Sequence, residues 1–347
     1  MIDRETSKKD PLVTARKTPD DTVQFENVLR PKTIAEYIGQ DEIKGHLSVV
    51  MQAAKKRKEP LEHILLHGPP GLGKTTLAQV IAHEMNASIK VTAGPAFERQ
   101  GDIAALLTNL SEGDILFIDE IHRLRPAVQE VLYTAMEDYA IDMILGKGPS
   151  ARSVRLSVPR FTLIGATTKV SMLSGPLRDR FGSIFQFHFY TVADIERIVE
   201  RSAKILGCKI DSSAAHILAK TSRQTPRVAN RILRRVRDYS EVHDYSLIVD
   251  EAVRKTLDML GVDACGLDAM DRKILTSIIK KWNGGPVGLN TLSSAFSEEE
   301  ATIEDIYEPY LMQIGFLERT ARGRRVTRHA YEHLGMEDRY REQAHLM

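Results

Sequence analysis

Short apolar runs alternate with segments of helical periodicity between residues 36 and 190. The apolar runs predict buried strands, and the segments between them, such as Lys74–Glu84, predict helices. Strands that alternate with helices pair in parallel, so this part predicts an α/β fold with helices on both faces of a parallel sheet. The predicted strands are Ile64–His67, Ile89–Val91, Ile115–Ile118, Phe161–Thr168 and Ile184–Phe189.

Beyond Tyr190 the apolar positions keep only helical spacing, which predicts a small all-α bundle over residues 191–261. The segment Gly261–Gly266 is rich in turn-forming residues and predicts a linker or hinge. The predicted helices of the bundle are Asp194–Leu206, Ser212–Ala219, Pro226–Tyr239 and Val249–Leu260.

The last part of the chain combines helices with a hairpin. One apolar helical face spans Met270–Ile278, and a second spans Ile303–Ile314, where we expect Pro309 to cause a kink. The stretch Phe316–Thr327 predicts two short strands around a turn at Ala321–Arg324, and helices followed by a basic hairpin predict a winged helix. Three domains are therefore expected, over residues 1–190, 191–261 and 262–347.

Bulk composition adds few constraints. The chain has 48 Lys and Arg residues against 47 Asp and Glu residues, so any surface for nucleic acid must be local. Cys208 and Cys265 lack the spacing of a disulfide framework or zinc site, which favours a reducing, cytoplasmic location. No stretch has the length and apolarity of a membrane span, and the N-terminal MIDRETSKKDPLV predicts a mobile polar tail, not a signal peptide.

The segment Gly68–Thr75 matches the G-x-x-x-x-G-K-[ST] pattern of a phosphate-binding loop. Gly71 and Gly73 would let backbone N–H groups turn toward phosphate oxygens. Lys74 would neutralise the β- and γ-phosphates, and the Thr75 hydroxyl would ligate Mg²⁺. A strand precedes the loop and a helix follows it, so the pattern predicts a site for ATP and Mg²⁺ more strongly than a chance glycine-rich turn.

The strand Ile115–Ile118 runs into two acids, Asp119 and Glu120. Acids at the carboxyl end of a central strand lie where open α/β sheets bind ligands. Asp119 is expected to hold Mg²⁺ through water, and Glu120 to orient and polarise the attacking water. A solvated strand end is the alternative for either acid alone. His122 completes the string DEIH, which also suggests a DExH-box helicase.

Three further residues are catalytic candidates. Thr168 would bring a polar group to the γ-phosphate or the water, and Arg180 would be an arginine finger for the ATP of a neighbouring subunit. Arg227 follows Thr225 and Pro226, an N-cap and a first helical residue, where a cation opposes the helix dipole unless an anion such as a γ-phosphate lies nearby. The alternatives are a surface ion pair for Arg180 and an unpaired surface position for Arg227.

These motifs together resemble those of the RuvB family, the bacterial Holliday-junction branch-migration motors of the AAA+ class. The similarity covers nearly the whole chain, and its C-terminal part separates this family from the many others that share a phosphate-binding loop. The motifs that carry it are Leu29–Pro31, Ile38–Gln40, GPPGLGKTTLA, IDEIHRL, Leu163–Thr168, PLRDRFG and Glu308–Leu311.

The resemblance implies a larger nucleotide site. Leu29, Arg30 and Tyr190 would line its adenine and ribose side, whereas the residues of Glu137–Tyr139 indicate by themselves only a helix end. The implied ATP-binding residues are Leu29, Arg30, Gly71, Gly73, Lys74, Thr75, Thr76, Glu137, Asp138, Tyr139, Arg180, Tyr190 and Arg227.

Residues 141–156 predict a hairpin, with an apolar first arm at Ile141–Leu145 and a turn at Gly146–Ser150. An exposed apolar patch often marks a partner surface, and a hairpin packed on its own domain is an equal alternative. The resemblance implies that the partner is RuvA, the junction-binding protein.

Five arginines are concentrated in and beside the predicted C-terminal hairpin. Their guanidinium groups would contact adjacent phosphates without reading base sequence, and a solvated basic loop is the alternative. The resemblance implies DNA contacts at Arg319 and Arg324. The five are Arg319, Arg322, Arg324, Arg325 and Arg328.

The resemblance implies a homohexamer that uses ATP to move duplex DNA at four-way junctions in recombination and repair, with RuvA and the RuvC resolvase in the same assembly. The main alternative, a clamp-loader-like ATPase, would not need a basic wing. A protein unfoldase would need an aromatic pore loop, which Thr92–Phe97 does not clearly provide. A monomeric helicase would need a second RecA-like domain after Tyr190, and a DNA-binding module alone would leave the phosphate-binding loop unexplained.

Overall fold

The computed structural model describes residues 27–145 and 152–336, which form two compact units. The first unit is Arg30–Phe189, and the second joins residues 27–29 to the chain from Tyr190 onward. The predicted N-terminal tail and the turn Gly146–Ser150 lie outside the described residues. Within those ranges, every helix is too short or too polar to cross a bilayer.

A five-stranded parallel sheet forms the centre of the first unit and confirms the predicted fold class. The unit has seven strands among its described residues. Five form the sheet in the order β2-β3-β6-β1-β7, and β4 pairs with β5 in a separate hairpin. The strands are β1 (Ile64–His67), β2 (Ile89–Ala93), β3 (Ile115–Asp119), β4 (Ala140–Leu145), β5 (Arg152–Ser157), β6 (Thr162–Thr167) and β7 (Ser183–Gln186).

Helices cover the sheet and bury its apolar side chains. Leu116 and Leu163 from the strands pack in one cluster with Ile103 and Leu132 from the helices, and all four are fully buried. Burial of each such side chain contributes about 1.5–3 kcal/mol. The helices of this unit are α1 (Asp41–Arg57), α2 (Lys74–Met85), α3 (Gln100–Thr108), α4 (Pro126–Asp138) and α5 (Gly175–Arg178).

The last strand is shorter than the predicted Ile184–Phe189. The Phe187 N–H still donates to the His67 carbonyl at 2.7 Å, but the His188 carbonyl accepts a hydrogen bond from the Gln40 side chain at 2.7 Å. The chain therefore leaves the sheet after Gln186, because side-chain contacts replace the strand ladder.

The common strand direction gives the sheet two different edges. At the carboxyl edge, the phosphate-binding loop follows β1, Thr168 follows β6 and Asp119 ends β3. Because β6 lies between β1 and β3, these three strand ends are neighbours. The phosphate-binding loop, Asp119 and Thr168 therefore lie together at this edge, where open α/β sheets bind ligands.

The amino edge is held together by His63, which precedes β1. Its Nδ1 accepts the Leu163 N–H at 2.9 Å, and its Nε2 lies 3.2 Å from the Met136 carbonyl oxygen. Its own carbonyl accepts the Gly182 N–H at 3.0 Å. Burial lowers the pKa of His63, which favours the neutral ring that this pattern of one acceptor and one donor requires.

The hairpin of β4 and β5 packs at its base on its own unit. Ile141 is fully buried and Met143 packs against the core cluster, whereas Leu156, opposite Ile141, is 37% exposed. Arg155 donates to Asp138 at 2.9 Å. The base therefore follows the packed alternative, and the second strand carries an exposed face.

The second unit contains a helical bundle followed by a winged helix, as predicted. The bundle helices are α6 (Val192–Ile205), α7 (Ser212–Thr221), α8 (Pro226–Val242) and α9 (Asp250–Leu260). The winged helix contains α10 (Ala269–Trp282), α11 (Leu289–Phe296), α12 (Glu300–Thr302), α13 (Glu308–Gln313), β8 (Leu317–Thr320), β9 (Gly323–Val326) and α14 (Arg328–His333).

The segment predicted as a linker or hinge is a closed turn. The Asp263 carboxylate accepts the N–H groups of Cys265 and Leu267, both at 2.9 Å, and lies 2.8 Å from His333 Nε2. Turn-forming residues indicate where the chain bends, but they do not show whether the bend is loose. Here one carboxylate fixes it.

The helix predicted around Pro309 contains a π turn, Ile303–Tyr307, directly before α13. Proline has no N–H for the carbonyl one turn earlier, and its ring crowds that carbonyl. The wider turn accommodates both effects.

The phosphate-binding loop begins at a glycine whose conformation and surroundings exclude a side chain, and a helical glycine of the same unit provides a comparison. Gly68 has φ +136°, and a Cβ there would lie 2.7 Å from the Phe187 carbonyl oxygen, whereas a Cβ on Gly45 in α1 would meet nothing within 4 Å. We expect Gly68→Ala to lower the free energy of unfolding by more than about 1 kcal/mol. Gly45→Ala should raise it by about 0.5–1 kcal/mol. Urea denaturation measures both, and equal effects would contradict this account.

Candidate functional site

The phosphate-binding loop surrounds a buried lysine. Lys74 is 7% exposed, and its Nζ donates to the carbonyls of Gly68 and Pro69, both at 2.8 Å. Gly71 and Gly73 have φ of +79° and +98°, a region that favours glycine. Phosphate oxygens are stronger acceptors for the ammonium group than these neutral carbonyls.

The helix behind the loop presents its amino end without a side-chain cap. Gly73 occupies the cap position of α2, and Thr75 and Thr76 lie in its partly exposed first turn. Uncapped first-turn N–H groups and the helix dipole together favour an anion. Burial, reinforced by the charge of Lys74, lowers the pKa of His67 at the end of β1. The His67 imidazole is therefore uncharged near neutral pH.

Glu120 lies in a network at the ends of β3 and β6. Thr168 Oγ1 donates to its carboxylate at 3.3 Å, and His122 Nδ1 lies 3.2 Å from the same oxygen. The His122 side chain is only 8% exposed, and its Nδ1 is also 2.8 Å from Thr167 Oγ1. Asp119 accepts the Glu120 N–H at 3.0 Å.

Sequence reasoning did not identify His122 as part of this site. The histidine was considered only as the last letter of a helicase-like string. Local patterns carry no signal for this contact, because it depends on the left-handed backbone at Glu120, with φ +49°. His122 and Thr168 therefore both contact the Glu120 carboxylate.

Arg180 lies at the amino edge of the sheet, opposite the carboxyl edge that holds this network. It precedes β7, and the next residues are tied to His63 at the amino edge. The four residues of β1 separate the two edges, which at about 3.3 Å per residue is about 13 Å. Arg180 forms an ion pair with Glu137, and its side chain is 37% exposed.

The segment Glu137–Tyr139 belongs to the same edge. Glu137 pairs with Arg180, Asp138 pairs with Arg155, and Tyr139 closes α4 with φ +50°. The physical connection among the three is thus the end of α4 beside Arg180. Local sequence patterns do not link them, because Glu137 and Arg180 are far apart along the chain.

The residues predicted on the adenine side are divided between the units. In the first unit, Arg30 donates to Gln79 of α2 at 3.0 Å. In the second, Leu29 and Tyr190 are buried, and the Leu29 carbonyl accepts from Arg201 at 2.8 Å.

Arg227 is the second residue of α8 and Thr225 is its N-cap, as predicted, but the Thr225 side chain makes no capping hydrogen bond. The Thr225 hydroxyl accepts no hydrogen bond from the first turn of α8. It donates to the Arg223 carbonyl at 2.8 Å, because the backbone at Arg223 is left-handed and turns that carbonyl toward it.

The arginines of the wing are held by carboxylates. The hairpin turn is tighter than predicted, because β9 already begins at Gly323. Arg319 and Arg324 are therefore directly opposite each other in the backbone register of the two strands. Arg325 pairs with Glu318. In the described residues, Arg322 is exposed at the turn with no carboxylate within ion-pair distance.

Glu308 is the carboxylate that sequence reasoning missed. Its side chain is 2% exposed, and it accepts from Arg319 at 2.7 Å and from Arg324 at 2.6 and 3.2 Å. Glu304, one turn earlier, lies 3.3 Å from Arg319. Hydrogen bonding to Glu308 raises the pKa of Arg319. Two acids one helical turn apart, shortly before a basic hairpin, were the available signal.

The network around Glu120 generates a graded prediction. Glu120→Gln removes the candidate base, so the turnover number for ATP should fall by about 10²–10⁴ while nucleotide affinity is retained. His122→Ala should cause a smaller fall, because it removes only an orienting contact. Steady-state hydrolysis and calorimetry give both quantities. Arg123→Ala, at the exposed neighbouring position, is the control, and wild-type turnover in His122→Ala would refute the orienting role.

Family models match three consecutive parts of the chain. They are the Holliday junction DNA helicase RuvB P-loop domain over residues 29–187, the RuvB AAA lid domain over 190–263 and the RuvB C-terminal winged helix domain over 264–335.

Individual relatives agree with these matches. The Holliday junction branch migration complex subunit RuvB of Dehalococcoides mccartyi (strain CBDB1) is 57% identical over 331 residues, which cover 95% of each chain. The structure of the Thermotoga maritima RuvB Holliday junction branch migration motor has a TM-score of 0.82 and 49% identity, covering 89% of this chain and 99% of that one. A mutant of the same protein gives 0.83 and 50% with the same coverage. The chain therefore belongs to the RuvB family.

Proposed function

We propose that this protein is an ATP-driven motor that moves duplex DNA and so drives branch migration of Holliday junctions in recombination and repair. The proposal is supported by the match of residues 29–187, 190–263 and 264–335 to RuvB family models. The structure adds that the phosphate-binding loop and Arg180 lie at opposite edges of one sheet. Such a chain completes its catalytic site only with a neighbour. A closed ring supplies a neighbour to every copy. We propose a homohexamer, which is what the resemblance to the RuvB family implies.

Within one chain, Lys74 and the first-turn N–H groups of α2 would bind the phosphates of ATP, with Gly71, Gly73 and Thr76 shaping the approach. Glu120, whose carboxylate is held in place by Thr168, would take the proton from the attacking water. Loss of that proton generates the nucleophile beside the phosphates.

Thr75 and Asp119 offer a hydroxyl and a carboxylate at the carboxyl edge. Hard oxygen donors of this kind fit Mg²⁺, which keeps several waters and phosphate oxygens in its coordination shell. When bound, the ion would neutralise charge on the phosphates.

Arg180 would act on the ATP of the adjacent copy. Its contact with Glu137 is half-exposed, so a phosphate could compete for the guanidinium at small cost. Asp138 and Tyr139, at the same helix end, would border that neighbouring site. Leu29, Arg30, Tyr190 and Arg227 would complete the nucleotide pocket, the first three at the adenine and ribose and Arg227 at the γ-phosphate.

The wing would bind the DNA backbone. Arg319 is half-exposed and keeps donors for a phosphate, whereas Arg324 is 12% exposed and supports it through Glu308. Arg322 and Arg325 add charge around the turn. Contacts of this type position the duplex without reading its sequence.

The exposed strand of the hairpin 141–156 would bind RuvA, and RuvC would join the same assembly. We also propose a cytoplasmic location, which is consistent with the free thiols of Cys208 and Cys265. A clamp-loader-like ATPase is not favoured, because it would not need the wing.

The function is tested on a synthetic four-way junction with fluorescent arms. With ATP, Mg²⁺ and RuvA, we expect strand exchange into two duplexes, and none when ADP replaces ATP. A linear duplex of the same sequence controls for simple unwinding. Failure of exchange, together with normal ATP hydrolysis, would reject branch migration while leaving the ATPase assignment intact.

The wing generates a second prediction. Arg319→Ala combined with Arg322→Ala should weaken DNA binding and reduce the log–log salt slope by about 0.9 for each lost phosphate contact. Arg197→Ala, whose side chain pairs with Asp194 at 3.6 Å on α6 of the helical bundle, is the matched control. An unchanged slope in the double variant would exclude the wing as the DNA surface.

A further inference from the structure

One buried arginine joins the helical bundle to the winged helix. Arg223 lies in the turn between α7 and α8, has φ +55° and is 2% exposed. Its Nε donates to the Gly266 carbonyl at 2.9 Å. Its Nη2 contacts Asp271, in the first turn of α10, and lies 3.4 Å from Asp268, the cap of the same helix.

Tyr310 of α13 completes the contact. The Arg223 guanidinium carbon lies 5.4 Å from the centre of the Tyr310 ring, and the Tyr310 hydroxyl donates to the Cys265 carbonyl at 2.6 Å. A Cβ on Gly266 would lie 2.5 Å from the Thr221 carbonyl oxygen, so the two backbones touch here. We call the cluster of Arg223, Asp268, Asp271 and Tyr310 the clasp.

The same turn also contacts the proposed nucleotide side. The Gln224 carbonyl accepts the Tyr190 N–H at 3.1 Å, and the Thr225 hydroxyl donates to the Arg223 carbonyl at 2.8 Å. Arg227 follows in the first turn of α8. A movement of Tyr190 or Arg227 on ATP binding would therefore act on the backbone that carries Arg223.

The clasp is poorly suited to be only a stabilising contact. One oxygen of Asp268 and one of Asp271 are buried without a hydrogen-bond partner among the described residues. Burial raises the pKa of Asp271 to about 7, with Arg223 opposing the rise. Apolar side chains of similar volume often stabilise such a position as well or better, so a half-satisfied buried cluster favours a role in fixing geometry.

We propose that the clasp is the joint through which the nucleotide state at Tyr190 and Arg227 changes the grip of the wing on DNA. The proposal rests on the proposed function. Arg223 and Asp271 are positioning residues, since they touch neither ATP nor DNA. The fork of the guanidinium sets the orientation of α10, and α10 packs in the core of the winged helix with the hairpin.

The test compares duplex affinity in the presence of a non-hydrolysable ATP analogue and of ADP. The ratio of the two dissociation constants measures coupling, and the same factor must appear in nucleotide affinity with and without DNA. For the wild type we expect a ratio of about 5–150, the usual range for coupled sites. Arg223→Lys keeps the charge and loses the fork, and Asp271→Asn keeps an oxygen for the Asp268 N–H and loses the charge.

Both variants should hydrolyse ATP and bind DNA, but their coupling ratio should fall close to one, and DNA should no longer stimulate hydrolysis. Asp238→Asn, which removes a surface partner of Arg235 on α8, is the control and should keep the wild-type ratio. Tyr310→Phe removes one hydroxyl and keeps the ring, so it supplies a milder variant with an intermediate ratio if the buried charge variants do not fold.

A wild-type ratio in folded Arg223→Lys, Asp271→Asn and Tyr310→Phe would overturn the joint. A ratio of one in the wild type would also overturn it, without affecting the ATPase assignment. Loss of ATP hydrolysis or DNA binding in the wild type would instead reject the proposed function.

Discussion

The single direction of the strands is the constraint on which the rest depends. In a parallel sheet, all carboxyl ends lie at one edge and all amino ends at the other. The phosphate-binding loop, Asp119 and Thr168 follow strands, whereas Arg180 precedes one. No side chain can span a strand to join them within one chain, so the proposed site would need Arg180 from a second copy.

Charged groups are held in place at each point where the protein would transmit force. Glu137 holds Arg180, Glu308 holds Arg319 and Arg324, and Asp271 holds Arg223. The first contact is half-exposed and can exchange partners at little cost. The other two are buried on the carboxylate side, so they fix geometry. Arg180 would therefore change partners, whereas the arginines held by Glu308 and Asp271 would keep their positions.

Local patterns predicted the fold and the residues of the loop, because strands, helices and a glycine-rich turn depend on neighbouring residues. His67, Lys74 and Glu120 lie close to strand ends that the apolar runs had already indicated. Contacts between distant segments were not predictable. The contacts of Arg223 and the partner of Arg180 are set by tertiary packing, and the segment Gly261–Gly266, expected to be a linker or hinge, forms a turn fixed by Asp263 and His333. Thr225 is the N-cap of α8 as predicted, but its hydroxyl donates to the Arg223 carbonyl, a contact that local patterns do not indicate.

The most direct measurement mixes two inactive proteins. Lys74→Ala lacks the loop lysine but keeps Arg180, and Arg180→Ala lacks the finger but keeps the loop. In equal, random mixed rings, about one interface in four combines an intact loop with an intact finger. We expect ATP hydrolysis to recover to about a quarter of the wild-type rate. Mixtures as inactive as the separate variants, in rings shown to contain both, would contradict a site shared between subunits.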